Sequence, residues 1–263
     1  MSTSKKRQAE DTPAQSKPKK NKKRKANAPD DELLDTELGL NTLFTKMDNQ
    51  LLADHLAQKL GRFGGDLSAV EISDMTVSAN AIQDTTSWQE PRTLEKFPDF
   101  LESVTENPEL LKKSPKKKGA PHTIIVAGAG LRAADIVRTH LLITNTRQFA
   151  KHMKVEEQVQ FLQNHKTGIC VGTPARLMDL IDNGKFNHNP NTCFPQGSLC
   201  LTRLGALCLD HLKRLVVDAS HIDQKKRGVL DMKDTMMPLA RFLSRKEFKD
   251  RYGDEKKPLA LLF

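Results

Sequence analysis

Gly168-Ile-Cys-Val-Gly-Thr-Pro-Ala-Arg-Leu-Met-Asp-Leu-Ile181 changes character at its middle. Gly168 to Gly172 is a short apolar run of the kind a strand buried on both faces shows, and a helix from Pro174 to Ile181 follows it. Upstream, Thr123-Ile-Ile-Val-Ala127 repeats the pattern and leads to a helical stretch around Ala133 to Leu142. Downstream, Leu212 to Asp218 and Pro258 to Phe263 complete a series of apolar runs. Such strands, alternating with helices, predict an α/β fold: a parallel sheet flanked by helices. Binding sites in these sheets form where the strands end, so the residues just past each run are the candidates.

The chain has 263 residues, 37% of them hydrophobic, enough for one domain with extensions. The formal net charge is +9, and residues 1–27 alone contribute +8, so the rest is close to neutral. Residues 1–29 are read as a disordered basic tail, too poor in apolar groups to offset the entropy of ordering. Within it Lys19, Lys20, Lys22, Lys23, Arg24 and Lys25 form a nuclear-import type of cluster and a salt-sensitive RNA contact; a merely solubilising tail is the alternative. Residues 30–65 are read as an acidic and amphipathic helical extension, with Leu43, Phe44, Met47, Leu51, Leu52, Leu56, Leu60 and Phe63 at three- or four-residue spacing and Gly61, Gly64 and Gly65 ending it. Residues 66–263 make the lobe. Asp66 to Trp88 reads as polar and irregular, Leu94 to Val104 as a short helix, and Lys112, Lys113, Lys116, Lys117 and Lys118 as a loop open to phosphate or simply solvated. No apolar stretch approaches the roughly 18 residues of a membrane span, and the N-terminus lacks a signal-peptide core, so an intracellular, soluble chain with no membrane partner is expected.

Of the four cysteines, Cys193, Cys200 and Cys208 could bind zinc with His188 or His211, but their spacing matches no ligand template and idle thiols, Cys170 included, are the better reading. Gly128-Ala-Gly130-Leu-Arg-Ala133 fits G-x-G-x-x-A after a strand, which would make a dinucleotide enzyme of the Gly128/Gly130 turn. Such an enzyme needs an acid about 20 residues on to hold the ribose, and Thr146 to Ala150 has none. At the end of the second run, Thr173 can cap the helix, Pro174 suits its first position, and the exposed N–H groups with Arg176 favour a phosphate; a capped helix without ligand is the alternative.

Val171 to Ile181 resembles V-A-T-P-G-R-L-x-D-L-L of the first RecA-like lobe of DEAD-box RNA helicases. Leu212-Lys-Arg-Leu-Val-Val-Asp218-Ala-Ser-His221 resembles L-K-Y-L-V-L-D-E-A-D, Leu230-Asp231-Met232 the L-D-M that follows it, Ala127 to Ile136 stands in the place of A-P-T-R-E-L-A-x-Q-I, and Pro258 to Phe263 looks like the strand before S-A-T. This likeness over residues 120–263 implies a RecA-like lobe with RNA-phosphate contacts at Thr173, Pro174 and Arg176. The family's arginine in P-T-R-E-L falls on Gly130, with Arg132 two residues later as its nearest substitute.

The hydrolytic parts are missing. No Gly-rich loop with Lys and Ser or Thr is present; where it would fall, the chain reads Asp84-Thr-Thr-Ser-Trp88. In the degenerate acidic motif Asp218, Ala219, Ser220, His221, the water-orienting carboxylate is replaced by Ala219 and the last acid by His221. With no room for a second helicase lobe, neither hydrolysis nor strand separation is expected, and no cofactor, metal or small-molecule substrate. A lysine-rich tail joined to a degenerate helicase lobe is similar to the CMS family of small-subunit ribosome-assembly proteins. The resemblance implies a non-catalytic assembly factor of the early pre-ribosome in the nucleolus and nucleus, partnered by pre-ribosomal RNA and pre-ribosome assembly proteins. A nucleotide-binding enzyme, either an RNA-dependent ATPase or one using Gly128 and Gly130, is the alternative, and a lobe that regulates an active helicase by mimicry is another. The insertion from Asn187 to Leu204 is a candidate partner loop or a tolerated surface insertion.

Overall fold

The computed structural model describes residues 33–141, 154–182 and 206–263. The import cluster and the 187–204 insertion therefore lie outside the described residues, as do His188, Cys193 and Cys200. All four apolar runs form strands: β3 (Thr123–Val126), β4 (Ile169–Gly172), β5 (Arg214–Val217) and β6 (Ala260–Leu262) make a parallel sheet in the order β4-β3-β5-β6. Two further short strands, β1 (Leu34–Asp35) and β2 (Leu40–Asn41), form an antiparallel hairpin. The helices are α1 (Asn49–Phe63), α2 (Ala69–Met75), α3 (Phe97–Ser103), α4 (Gly130–Leu141), α5 (Val155–Asn164), α6 (Pro174–Asp182), α7 (Lys233–Leu243) and α8 (Lys246–Lys249).

Every residue of β3, β4 and β5 is buried, as a sheet covered on both faces requires. Alternate residues supply two cores. Ile124, Val126, Cys170, Leu215, Val217 and Leu261 pack with residues of α1, α5, α6 and α7. On the other face Ile125, Ile169, Val171, Val216 and Leu262 meet α3 and α4. Burial pushes the Cys170 thiol up to about 12, which leaves it protonated and inert.

Local chemistry moved several boundaries. The amphipathic helix expected from Leu43 begins only at Asn49, because Asp48 accepts from the Leu51 N–H at 2.8 Å and caps it there. Ahead of it lies a 3₁₀ turn at Thr42–Thr45, capped by Asn41. Leu52, Ala53, Leu56 and Leu60 of α1 are buried in the same core as Met236, Leu239, Ala240 and Leu243 of α7. Lys59 adds a 2.5 Å ion pair to Asp231, whose other oxygen accepts from the Gly228 N–H at 2.8 Å. The stretch from Asp66, read as irregular, holds α2, started by a capping box in which Ser68 and Glu71 satisfy each other's backbone N–H.

Candidate functional site

Because the sheet is wholly parallel, the residues after β3, β4, β5 and β6 share one side of the molecule. Gly128 to Gly130 follows β3, Thr173 follows β4, Asp218 to His221 follows β5 and Phe263 follows β6. A nucleotide or an RNA phosphate would approach from this side.

Arg132, in the first turn of α4, turns onto Asp218. Its Nε lies 2.7 Å from Oδ2 and its Nη2 3.3 Å from Oδ1, and the two side chains are 10% and 4% exposed. A pair so well buried, bidentate on both carboxylate oxygens, balances the Asp218 charge and holds Arg132 inward, not extended toward phosphate. Arg132, expected from the sequence to contact RNA phosphate, is in this structure paired internally with the remaining acid of the motif.

The next three residues are also committed. Ala219 is buried and brings no functional group. The Ser220 carbonyl accepts from the Asn41 N–H at 2.7 Å. Leu40 and His221 form an antiparallel bridge, extended by the Ile222 N–H donating to the Gly39 carbonyl at 3.0 Å. The β1–β2 hairpin is therefore hydrogen-bonded to the motif backbone. Gly39 has φ +66°, a conformation that glycine adopts at little cost. Burial, and then the nearby Arg132 charge, hold His221 below the usual histidine range, so it is neutral at pH 7.

At the position of the missing phosphate loop, Ile82 bridges Leu261 of β6 in parallel and the Gln83 N–H donates to the Leu261 carbonyl at 2.8 Å. The chain then turns through Asp84 to Trp88, and Arg92 comes back over the end of β6. Its guanidinium donates to the main-chain oxygen of Phe263 and to the Thr85 hydroxyl, the latter at 2.9 Å, and stacks 5.0 Å from the Phe100 ring. Burial lowers its pKa to about 10, still charged at neutral pH. Nothing in the sequence marked Arg92: it sits in an irregular stretch, and its partner at the end of β6, Phe263, is 171 positions away.

Between the hairpin, the 89–92 loop and Ser220 there remains a cavity of about 160 Å³. Pockets that hold cofactors run from about 300 to 1,000 Å³, so this one is too small for a nucleotide. At Gly128 a Cβ would meet the Val229 Cβ at 3.2 Å, so that glycine allows Val229 to pack, whereas a Cβ at Gly130 would meet nothing within 4 Å.

The α6 end differs. Thr173 holds the N-cap position, its carbonyl accepting from the Leu177 N–H at 3.0 Å, and Pro174 is buried as the first helical residue. Arg176 makes no ion pair among the described residues, and its Nη1 is buried without a hydrogen-bond partner. Leu177, Leu180 and Ile181 fix the helix on the core, leaving Thr173 and Arg176 half-buried at its start. The structure thus joins Arg132 to Asp218 and leaves Arg176 without an ion pair among the described residues. No group of His, Cys, Asp or Glu able to hold a metal occurs among the described residues.

Residues 1–191 and 195–262 match the family described as CMS1: U3-containing 90S pre-ribosomal complex subunit. Protein CMS1 of Chaetomium thermophilum is 51% identical over 253 residues, covering 94% of this chain and 92% of that one. Protein cms1 of Schizosaccharomyces pombe is 25% identical over 78% of this chain and 66% of its own length, and human Protein CMSS1 is 28% identical over 46% and 38%. Among solved structures, a DEAD box protein from Methanococcus jannaschii aligns over 66% of this chain and 37% of its own with a TM-score of 0.36 and 17% identity.

Proposed function

The chain belongs to the CMS1 family of U3-containing 90S pre-ribosomal complex subunits, and from that premise we propose that it serves ribosome assembly as a non-catalytic, helicase-like scaffold. One observation carries the non-catalytic part: the strand ends where a nucleotide would bind are occupied by the chain itself. Arg92 covers β6, Arg132 neutralises Asp218, and the β1–β2 hairpin is hydrogen-bonded to the backbone of Ser220 and Ile222 on either side of His221. An ATPase or dinucleotide enzyme would need those groups free.

RNA contact falls to the start of α6. Thr173, Pro174 and Arg176 offer helix N–H groups and a guanidinium with no ion pair among the described residues, which suits a backbone phosphate and carries no base preference. The basic cluster from Lys19 to Lys25 adds a salt-dependent term and directs import, which places the protein in the nucleus and nucleolus in this reading. Its partners there are pre-ribosomal RNA and assembly proteins.

The test is sedimentation of the tagged full chain from nuclear extract through a glycerol gradient, with and without ribonuclease. The proposal expects the chain in fast-sedimenting particles that ribonuclease disperses. A chain that stays at the top of the gradient under both conditions contradicts it.

A further inference from the structure

On the opposite side of the sheet, where β5 and β6 begin, a groove of about 680 Å³ runs between the 104–110 segment, the 210–214 segment and the 256–260 segment. It is independent of the helicase-like end. Its size is that of a ligand-sized cleft rather than a packing defect. Lys213, Lys256 and Lys257 are exposed around it and make no ion pair among the described residues. The acids in its wall are fewer: Asp210 is held at 2.5 Å by Lys117, and Glu106 is exposed. The groove is therefore positive, and Asp210 is already neutralised.

Arg214 lies deeper in the same wall. It is 9% exposed, and among the described residues the hydrogen bond of its guanidinium goes to the neutral Thr123 hydroxyl, 3.3 Å from Nη1. Burial draws its pKa below the usual range, with Glu106 as the acid opposing the shift. A buried guanidinium so thinly compensated favours an incoming anion. Arg251 gives the wall rigidity, its guanidinium bonding the carbonyls of Leu209, Leu212 and Lys257 and so clamping two of the three segments together.

The remaining lining decides the kind of anion. Val104, Leu110 and Pro258 contribute apolar surface, and Leu110 is 38% exposed, one of few large apolar side chains so open in the described residues. No Phe, Tyr or Trp lines the groove, and His211 is its single ring, which offers no run of platforms for stacking successive bases. A nucleic-acid backbone would use the lysines and leave the apolar surface wet. We propose that this groove docks an acidic peptide segment of a partner protein, with carboxylates facing Lys213, Lys256, Lys257 and Arg214 and an aliphatic side chain on Val104, Leu110 and Pro258.

The experiment uses the full chain and three fluorescent probes: a short peptide alternating Glu and Leu, the same peptide with Gln for Glu, and single-stranded poly-uridine RNA. The Glu peptide is expected to bind and the Gln peptide not. Lys213→Glu/Lys256→Glu/Lys257→Glu, all at exposed positions, should weaken the Glu peptide at least about tenfold, the effect of losing roughly 1.4 kcal/mol. Leu110→Ala should weaken it several-fold without changing charge, an effect that binding to the basic tail would not show. RNA affinity should stay within about twofold in Leu110→Ala. Glu-peptide affinity unchanged in both variants overturns the proposal, and so does a groove whose triple variant loses RNA while retaining the peptide.

Discussion

Asp218 shows how one lost carboxylate redirects its neighbours. With Ala219 beside it, Asp218 has no second acid with which to share a metal, and Arg132 takes its charge. Removing one partner of a buried pair leaves the other uncompensated, at a cost of about 3–5 kcal/mol, whereas replacing both with apolar groups is often near neutral. Arg132→Met and Asp218→Leu should each lower stability by that order in denaturant unfolding, and the double variant should recover most of it. Additive losses would mean that the pair is not the internal lock described above. The sequence suggested Arg132 as a phosphate contact because spacing reveals which helix a residue occupies but not which acid, 86 positions away, it meets.

His122 offers a second test at the same scale. It is 7% exposed and its Nε2 has no partner among the described residues. Burial, with the charges of Arg214 and Lys213, lowers its pKa to about 4 from an ordinary value near 6.5. Between those two pH values the unfolded chain binds the proton that the folded chain refuses, so stability rises with pH across this window and is lost as pH falls. The full loss is about 3 kcal/mol at about 1.4 kcal/mol per unit. In thermal unfolding from pH 7 down to 4, His122→Gln should lose less stability than the native chain. Parallel pH profiles for the two would refute the assignment.

At the scale of elements, the strands were the most legible feature, because a strand buried on both faces announces itself as a short apolar run bounded by turn residues. Helices α4 and α6 followed from the same alternation. Helix α2 could have been read from Ser68-x-x-Glu71, a local signal that its polar surroundings obscured. The β1–β2 hairpin could not: its strands are two residues each, and what fixes it is its backbone bonds to Ser220 and Ile222, far along the chain. Gly39 carries that contact. Gly39→Ala forces an L side chain into the left-handed region, at about 1–2 kcal/mol. In hydrogen exchange the Asn41 and Ile222 amides should lose protection, while those of α7 keep theirs. Unchanged protection at both amides would show that the hairpin does not depend on this turn.

For the molecule as a whole, the sequence revealed what was missing from an ATPase more clearly than what had taken its place. Absent glycines and an alanine at a carboxylate position are local facts. The closure of the strand ends by Arg92, Arg132 and the hairpin is tertiary, built from residues between 34 and 263. The proposed RNA contact at Thr173, Pro174 and Arg176 lies between these cases, since the motif is local but its freedom depends on what surrounds it. Calorimetric titration of the full chain with ATP and magnesium tests the central claim most directly. Strand ends held by Arg92, by the Arg132–Asp218 pair and by the hairpin predict no saturable heat. Saturable binding in the micromolar range, stoichiometric with the chain, would mean that Arg92 and the hairpin yield to ligand and that the lobe has kept an engine.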